Sequence, residues 1–253
     1  MKKSNVQAIV FTGLMVAIGV VLSQLVSITL PSPASPIIKF GIGYLPIIII
    51  SILYGPVYGV IAAISQDLLG FFLIGGPQGQ IFFLGFTLNA VLYGLVPGLL
   101  FRFKSKKDES LFYWFNYGLA LLFLVAIVFY FFNIDRISTT LENQELYILL
   151  LISLLGSGAL IAINYWVGRK KTLEYSPQKI LFVVMILYMV VSIVLTPVWL
   201  FVMIPGVPIW LRIPLRIVKM PIEVLAYVLL LTPLLNTLKK LIDHRELDEP
   251  ENT

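Results

Sequence analysis

Four charged residues stand where a membrane segment should be apolar. They are Arg212, Arg216, Lys219 and Glu223, in the run Leu211-Arg212-Ile213-Pro214-Leu215-Arg216-Ile217-Val218-Lys219-Met220-Pro221-Ile222-Glu223. On a helix turning ~100° per residue, all four fall on one narrow face. Two of these cations, Arg216 and Lys219, could serve a carboxylate through charge-assisted hydrogen bonds. A charge at the bilayer centre costs ~2.5–3.5 kcal/mol on insertion scales, so such residues usually face a polar cavity. The competing reading is structural: Arg212 and Arg216 snorkel to the headgroups and Lys219 pairs with Glu223. Lys219 and Glu223 lie roughly two to three turns inside the segment, which favours a site.

Other polar residues interrupt apolar runs: Asp67 in Ser65-Gln66-Asp67, Thr87 and Asn89 in Gly85-Phe86-Thr87-Leu88-Asn89, and Trp199 after Thr196-Pro197-Val198. With the charged face of the last segment they make a mixed polar and aromatic pocket in the outer leaflet. A buried Asp also serves as a plain bond between helices, and that alternative stays open for Asp67.

The elements that must position these residues are membrane helices. The chain has 253 residues, 59% of them hydrophobic and only 12% charged, more apolar surface than a soluble core can hide. No cysteine is present, and the one histidine, His244, sits in a polar tail, so thiol chemistry, an intramembrane histidine metal site and a Ser-His-Asp triad are excluded. No cofactor is expected. No cleavable signal peptide is evident either, because the first apolar run lacks a small-x-small cleavage site after it.

Eight apolar segments are predicted, roughly 6–30, 41–54, 57–74, 81–103, 111–132, 146–168, 179–203 and 212–238. The second and third are short and separated only by Tyr54-Gly55-Pro56, which reads as a tight turn. Eight spans put both termini on one side. That side then carries 13 of the 18 basic residues, from Lys2 and Lys3 through the clusters at 102–107 and 169–179 to Lys239, Lys240 and Arg245. The basic side is cytoplasmic. The net charge of +5 therefore reports topology and not a nucleic-acid surface.

Three outer connections, 31–40, 74–80 and 204–208, are rich in proline and glycine and must be extended or turning. The first, with Pro33, Pro36 and Lys39, reads either as a gating loop over a cavity or as a plain connector. The first span carries Ala8, Thr12, Gly13, Ala17, Gly19 and Ser23 on one side. Gly13-x-x-x-Ala17 would let another helix approach closely, of this chain or of a partner. Segments 111–132 and 146–168 are apolar on all sides and dense in aromatics, and read as a lipid-facing, peripheral pair. Residues 241–253 read as a disordered cytoplasmic tail.

Several runs together resemble one family. They are Ile38-Lys39-Phe40-Gly41-Ile42-Gly43-Tyr44-Leu45-Pro46, Leu53-Tyr54-Gly55-Pro56-Val57-Tyr58-Gly59, Asp67-Leu68-Leu69-Gly70-Phe71-Phe72 and Gly85-Phe86-Thr87-Leu88-Asn89-Ala90, then Thr196-x-x-Trp199 and Pro214-x-Arg216-x-x-Lys219. In order and spacing they resemble the substrate-binding S component of energy-coupling factor (ECF) vitamin transporters, folate branch. The resemblance covers about 1–103 and 178–240, a six-helix core, and leaves 104–177 as an inserted pair of transmembrane helices. Gln24 stands where the family often carries a basic residue, and Lys39 where an arginine is common.

The resemblance implies an all-α polytopic protein of the bacterial plasma membrane that is no enzyme. Such a subunit binds a vitamin from outside, docks on a coupling membrane protein with two cytoplasmic ATPases, topples and releases its ligand inside. Docking would fall on Gly13 and Ala17. Folate or a reduced folate suits the pocket. Arg216 and Lys219 would take its carboxylates, Trp199, Phe86 or Tyr44 its flat ring, and Asp67, Asn89 or Glu223 its ring donors, with Thr87 beside them. Another anionic vitamin such as pantothenate stays open, as does a membrane-embedded enzyme, though the interior acids Asp67 and Glu223 are far apart in sequence. A secondary transporter would favour inverted repeats, and none is evident.

Overall fold

The computed structural model describes residues 5–30, 38–74, 82–102, 108–132, 143–167, 175–203 and 213–248. Among them eight helices follow one another: α1 (Asn5–Leu25), α2 (Leu45–Tyr54), α3 (Pro56–Ile74), α4 (Leu84–Arg102), α5 (Asp108–Phe132), α6 (Asn143–Val167), α7 (Pro177–Met203) and α8 (Pro214–Asp248). Each expected apolar segment has its helix. Six of the eight, all but α2 and α6, are long and apolar enough to cross a membrane; α6 supplies a shorter apolar stretch, Leu150–Tyr165.

The first segment ends earlier than its hydropathy suggests. Ile28–Leu30 leaves the helix as strand β1 and pairs antiparallel with β2 (Ile38–Phe40), Thr29 opposite Lys39. Leu30 precedes Pro31, and the residue ahead of a proline is pushed toward extended backbone. This ribbon is the one departure from an all-helical architecture among the described residues. Pro33 and Pro36 lie outside them, and of Lys39 only the backbone is described.

The α2–α3 turn forms as the sequence dictates. Gly55 takes φ 99°, which disfavours any side chain, donates its N–H to Ser51 O, and hands over to Pro56 at the start of α3. α2 is buried almost all round, with Ile47 to Ile50 at 2% exposure or less. At ~1.5 Å per residue its ten residues reach about half the hydrocarbon thickness. α3 and α4 touch backbone to backbone: a Cβ on Gly59 would meet the Gly94 carbonyl, and one on Gly94 the Gly59 carbonyl. Ser51 Oγ locks this seam, donating to Gly94 O and accepting the Gly98 N–H at 2.7 Å.

α7 widens into π-helix from Tyr188 to Leu195. Pro197 follows directly and cannot supply the N–H that a regular helix needs there. The Thr196 hydroxyl donates to Val191 O at 2.6 Å, the same carbonyl that accepts the Thr196 N–H.

Three expectations need correction. The α5–α6 pair is not peripheral. Its outer face is exposed at Trp114, Phe129 and Leu155, but Phe123, Ile127, Leu150 and Leu160 are buried. Asn116 donates to Gln178 O on α7 at 2.9 Å, and Ser153 Oγ donates to Val218 O on α8. Gly156 leaves room for Pro221, whose Cβ would lie 3.1 Å from an added Cβ. Serine and asparagine, hidden among apolar residues, give these helices an inward stripe. Second, the small residues of α1 divide between two faces. Ala8, Thr12 and Gly19 are buried, while Gly13 and Ala17 are exposed, consistent with their position about 100–180° away around the helix. Third, the expected disordered tail 241–253 is helical as far as Asp248, since no glycine or proline interrupts the chain before Pro250. Residues 249–253 lie outside the described residues.

Candidate functional site

A cavity of about 320 Å³ opens between α1, α2, α3, α4, α7 and α8. That is a normal size for a small-molecule site, which runs from ~300 to 1,000 Å³.

One wall is α8. Arg216, Lys219 and Glu223 all line the cavity, as their three- and four-residue spacing predicts. Pro214 begins the helix, and the Arg216 N–H closes its first turn on Ile213 O at 3.0 Å. Both cations are buried, Arg216 at 6% and Lys219 at 5% exposure. Lys219 Nζ donates to Glu223 Oε1 at 3.0 Å. The two sequence readings of this pair therefore hold together: it is an ion pair, and it is part of the cavity wall. Tyr188 braces the wall, donating its hydroxyl to Arg216 O at 3.1 Å, with Lys219 Nζ 5.8 Å from its ring centre. Arg212 lies outside the described residues.

A second wall is aromatic. Tyr44 and Tyr93 stack with ring centres 4.3 Å apart and planes 6° from parallel. The Tyr44 N–H donates to the Tyr227 hydroxyl, which donates on to Gly41 O, both at 3.3 Å. Phe83 and Phe86 lie edge to face beside them. Tyr93, Tyr188 and Tyr227 escape sequence reading because tyrosine in a membrane helix marks an interfacial belt as readily as a site.

The third wall carries hydrogen-bonding groups from α1, α3 and α4. Asp67 and Asn89 line the cavity as expected, and Gln24 and Gln66 join them. Gln66 was visible only as the neighbour of Asp67, and Gln24 only as a departure from a family pattern. Thr87 and Trp199 stand behind this wall and are absent from the lining. Thr87 Oγ1 donates to Asp67 Oδ2 at 2.6 Å. Trp199 Nε1 donates to Asn89 Oδ1 at 3.0 Å, and Asn89 Nδ2 donates to Thr196 Oγ1 at 3.1 Å. Trp199 packs its indole against Phe83, ring centres 6.0 Å apart, and against Gly85, where a Cβ would meet its ring at 2.7 Å. The two residues thus fix the groups in contact with the cavity rather than reaching it themselves.

The arrangement suits reversible binding. Among the described residues no three His, Cys, Asp or Glu gather into a metal site. The acids Asp67 and Glu223 stand on separate walls, each already holding a partner.

The family model described as ECF-type riboflavin transporter, S component, matches residues 3–164, well over half of the chain. The chain belongs to this S-component family. Members are transporter components, not enzymes, and the apolar helices agree with a multi-pass membrane protein. The match runs through α5 and most of α6 and stops short of α7 and α8. Among curated proteins, the folate transporter FolT of Clostridium novyi (strain NT) is similar, 31% identical over 105 residues. That alignment takes in 42% of this S component and 55% of FolT, so it spans about half the length of the relative.

Proposed function

We propose that this S component binds folate or a reduced folate from outside the cell and delivers it inward. The observation that carries this reading is the pair of buried cations, Arg216 and Lys219, in the wall of a cavity lined elsewhere by aromatic rings and hydrogen-bonding side chains. A carboxylate exchanging water for a guanidinium and an ammonium gains strong, oriented hydrogen bonds. Tyr44 and Phe86 offer faces for a flat heterocycle, and Asp67 accepts from its N–H groups. Trp199, Asn89 and Thr87 hold the ring end in shape, and Glu223 orients Lys219. The likeness to FolT supports the same substrate class.

Transport needs partners: a coupling membrane protein and two cytoplasmic ATPases of an ABC-type importer. Gly13 and Ala17 offer the docking face. Both are exposed, and nothing lies within 4 Å of a Cβ placed on Gly13. Both termini are cytoplasmic in this reading, the membrane is a bacterial plasma membrane, and 104–177 is an insertion between the core parts 1–103 and 178–240. The gating role of the 31–40 connection belongs to the same proposal.

A flavin is the second reading. The family description names riboflavin, and the Lys219–Glu223 pair already neutralises one cation. Native mass spectrometry of protein purified in mild detergent, with identification of the released small molecule, tests both. A folate mass is expected; a flavin mass retires the folate reading, and no retained ligand after incubation with a vitamin panel overturns both.

A further inference from the structure

We infer that Glu223 sets how much negative charge the site accepts: it fills a carboxylate place at Lys219, so the α8 wall takes one ligand carboxylate and refuses a second. The inference rests on the proposed function and deepens it, from an anionic ligand to a ligand read through a single acid group.

Glu223 is a carboxylate built into the wall. It stands one turn beyond Lys219 on the same face of α8 and lines the cavity. Lys219 Nζ donates to its Oε1 at 3.0 Å, and the two side chains are 6% and 12% exposed. A ligand carboxylate brought to this ammonium would make the same contact. The wall therefore carries two positive groups, Arg216 and Lys219, and one negative group, Glu223. One ligand carboxylate completes the balance. A second one at Lys219 would lie beside Glu223 and away from bulk water, where like charges repel strongly.

The rest of the lining offers a second carboxylate no other cation. Past Glu223 the wall continues as Tyr227, whose hydroxyl is held between the Tyr44 N–H and Gly41 O. Tyr188 faces Lys219 from α7, and its hydroxyl is committed to Arg216 O. On the opposite wall the charged group is Asp67, itself an acid. Among the described lining residues, cations occur on α8 alone, and an acid already stands beside one of them. A second ligand acid is left to solvent. A glutamate that only oriented the lysine would serve every ligand alike; one that occupies a carboxylate place discriminates by ligand charge.

The test is calorimetric binding of folic acid and of its α- and γ-monoamides to the full chain in detergent, for the wild type and Glu223→Gln. In the wild type one monoamide should fall behind folic acid by at least ~10-fold, having lost the charge-assisted bonds to α8. The other should stay within ~3-fold, as expected for an acid in solvent. Glu223→Gln keeps the length of the side chain and removes its charge, so the tolerated monoamide should also fall at least ~10-fold behind folic acid. Two weakened monoamides in the wild type, or two tolerated ones, overturn the single-carboxylate site. A Glu223→Gln protein that weakens all three compounds alike leaves the ratios unmoved and overturns the role of Glu223. Should that variant fail to give monodisperse protein, the wild-type ratios and Glu223→Ala decide on the same criterion. A wild type that binds none of the three signals a different failure, that of the folate reading itself.

Discussion

The α3–α4 seam and the α6–α8 seam solve the same packing problem with different chemistry. At the first, Gly59 and Gly94 bring two backbones together, and Ser51 seals them from a third helix. At the second, Gly156 makes room for Pro221 while Ser153 reaches across to a carbonyl just upstream of that proline. The first seam has no side chain that can yield, so its geometry is all or none. The second is held by a hydroxyl beside a proline inside the helix, where the helix has lost one of its own hydrogen bonds, and it can adjust. The rigid seam supports Asp67 and Asn89. The adjustable seam supports the segment that carries Arg216, Lys219 and Glu223.

This contrast sets an order of effects. Gly94→Leu should be the most damaging, since backbone atoms cannot move aside; loss of monodisperse protein on size exclusion is expected, and a normally folded variant would dissolve the distinction. Next comes deletion of 108–175 with a short linker. If α6 positions α8, folic acid affinity should fall at least ~10-fold, whereas a lipid-facing ornament could be removed without change. Arg216→Ala should cost roughly 2–5 kcal/mol of binding while leaving insertion intact, because it strips a buried charge from the proposed anion site. Ser153→Ala should be mild, about 1 kcal/mol in thermal stability with affinity down a few-fold, the scale of one hydrogen bond. Smallest on binding is Gly13→Leu. Calorimetry should find it unchanged, yet uptake into cells should stop if that face docks; normal uptake would remove the docking assignment.

Some of this was legible in the chain alone. Arg216, Lys219 and Glu223 declared themselves because charge in an apolar run is costly and their spacing is helical. Tyr54-Gly55-Pro56 could only be a turn. What stayed hidden depends on distances across the fold. Thr87 and Trp199 read as contact residues, but each acts on a partner 20 or 110 positions away. The small residues of α1 formed one list in sequence, although helical periodicity already separates Gly13 and Ala17 from Ala8, Thr12 and Gly19; which set faces inward is decided by the neighbours. The inward stripe of α5 and α6 was masked by its company: Asn116, Ser153 and Asn164 are single polar residues among aromatics and leucines, too few to shift a hydropathy average.

The charges on the cavity wall have an electrical consequence. Arg216 and Lys219 balance Asp67 and Glu223, so the described part of the lining has no formal net charge. An empty subunit that reorients in the membrane therefore carries no current through its site. A subunit loaded with a dianion carries the ligand's two charges, and each works against an inside-negative potential of 100 mV at ~2.3 kcal/mol per full crossing. Inward delivery of such a ligand would be voltage-sensitive while the return of the empty subunit would not.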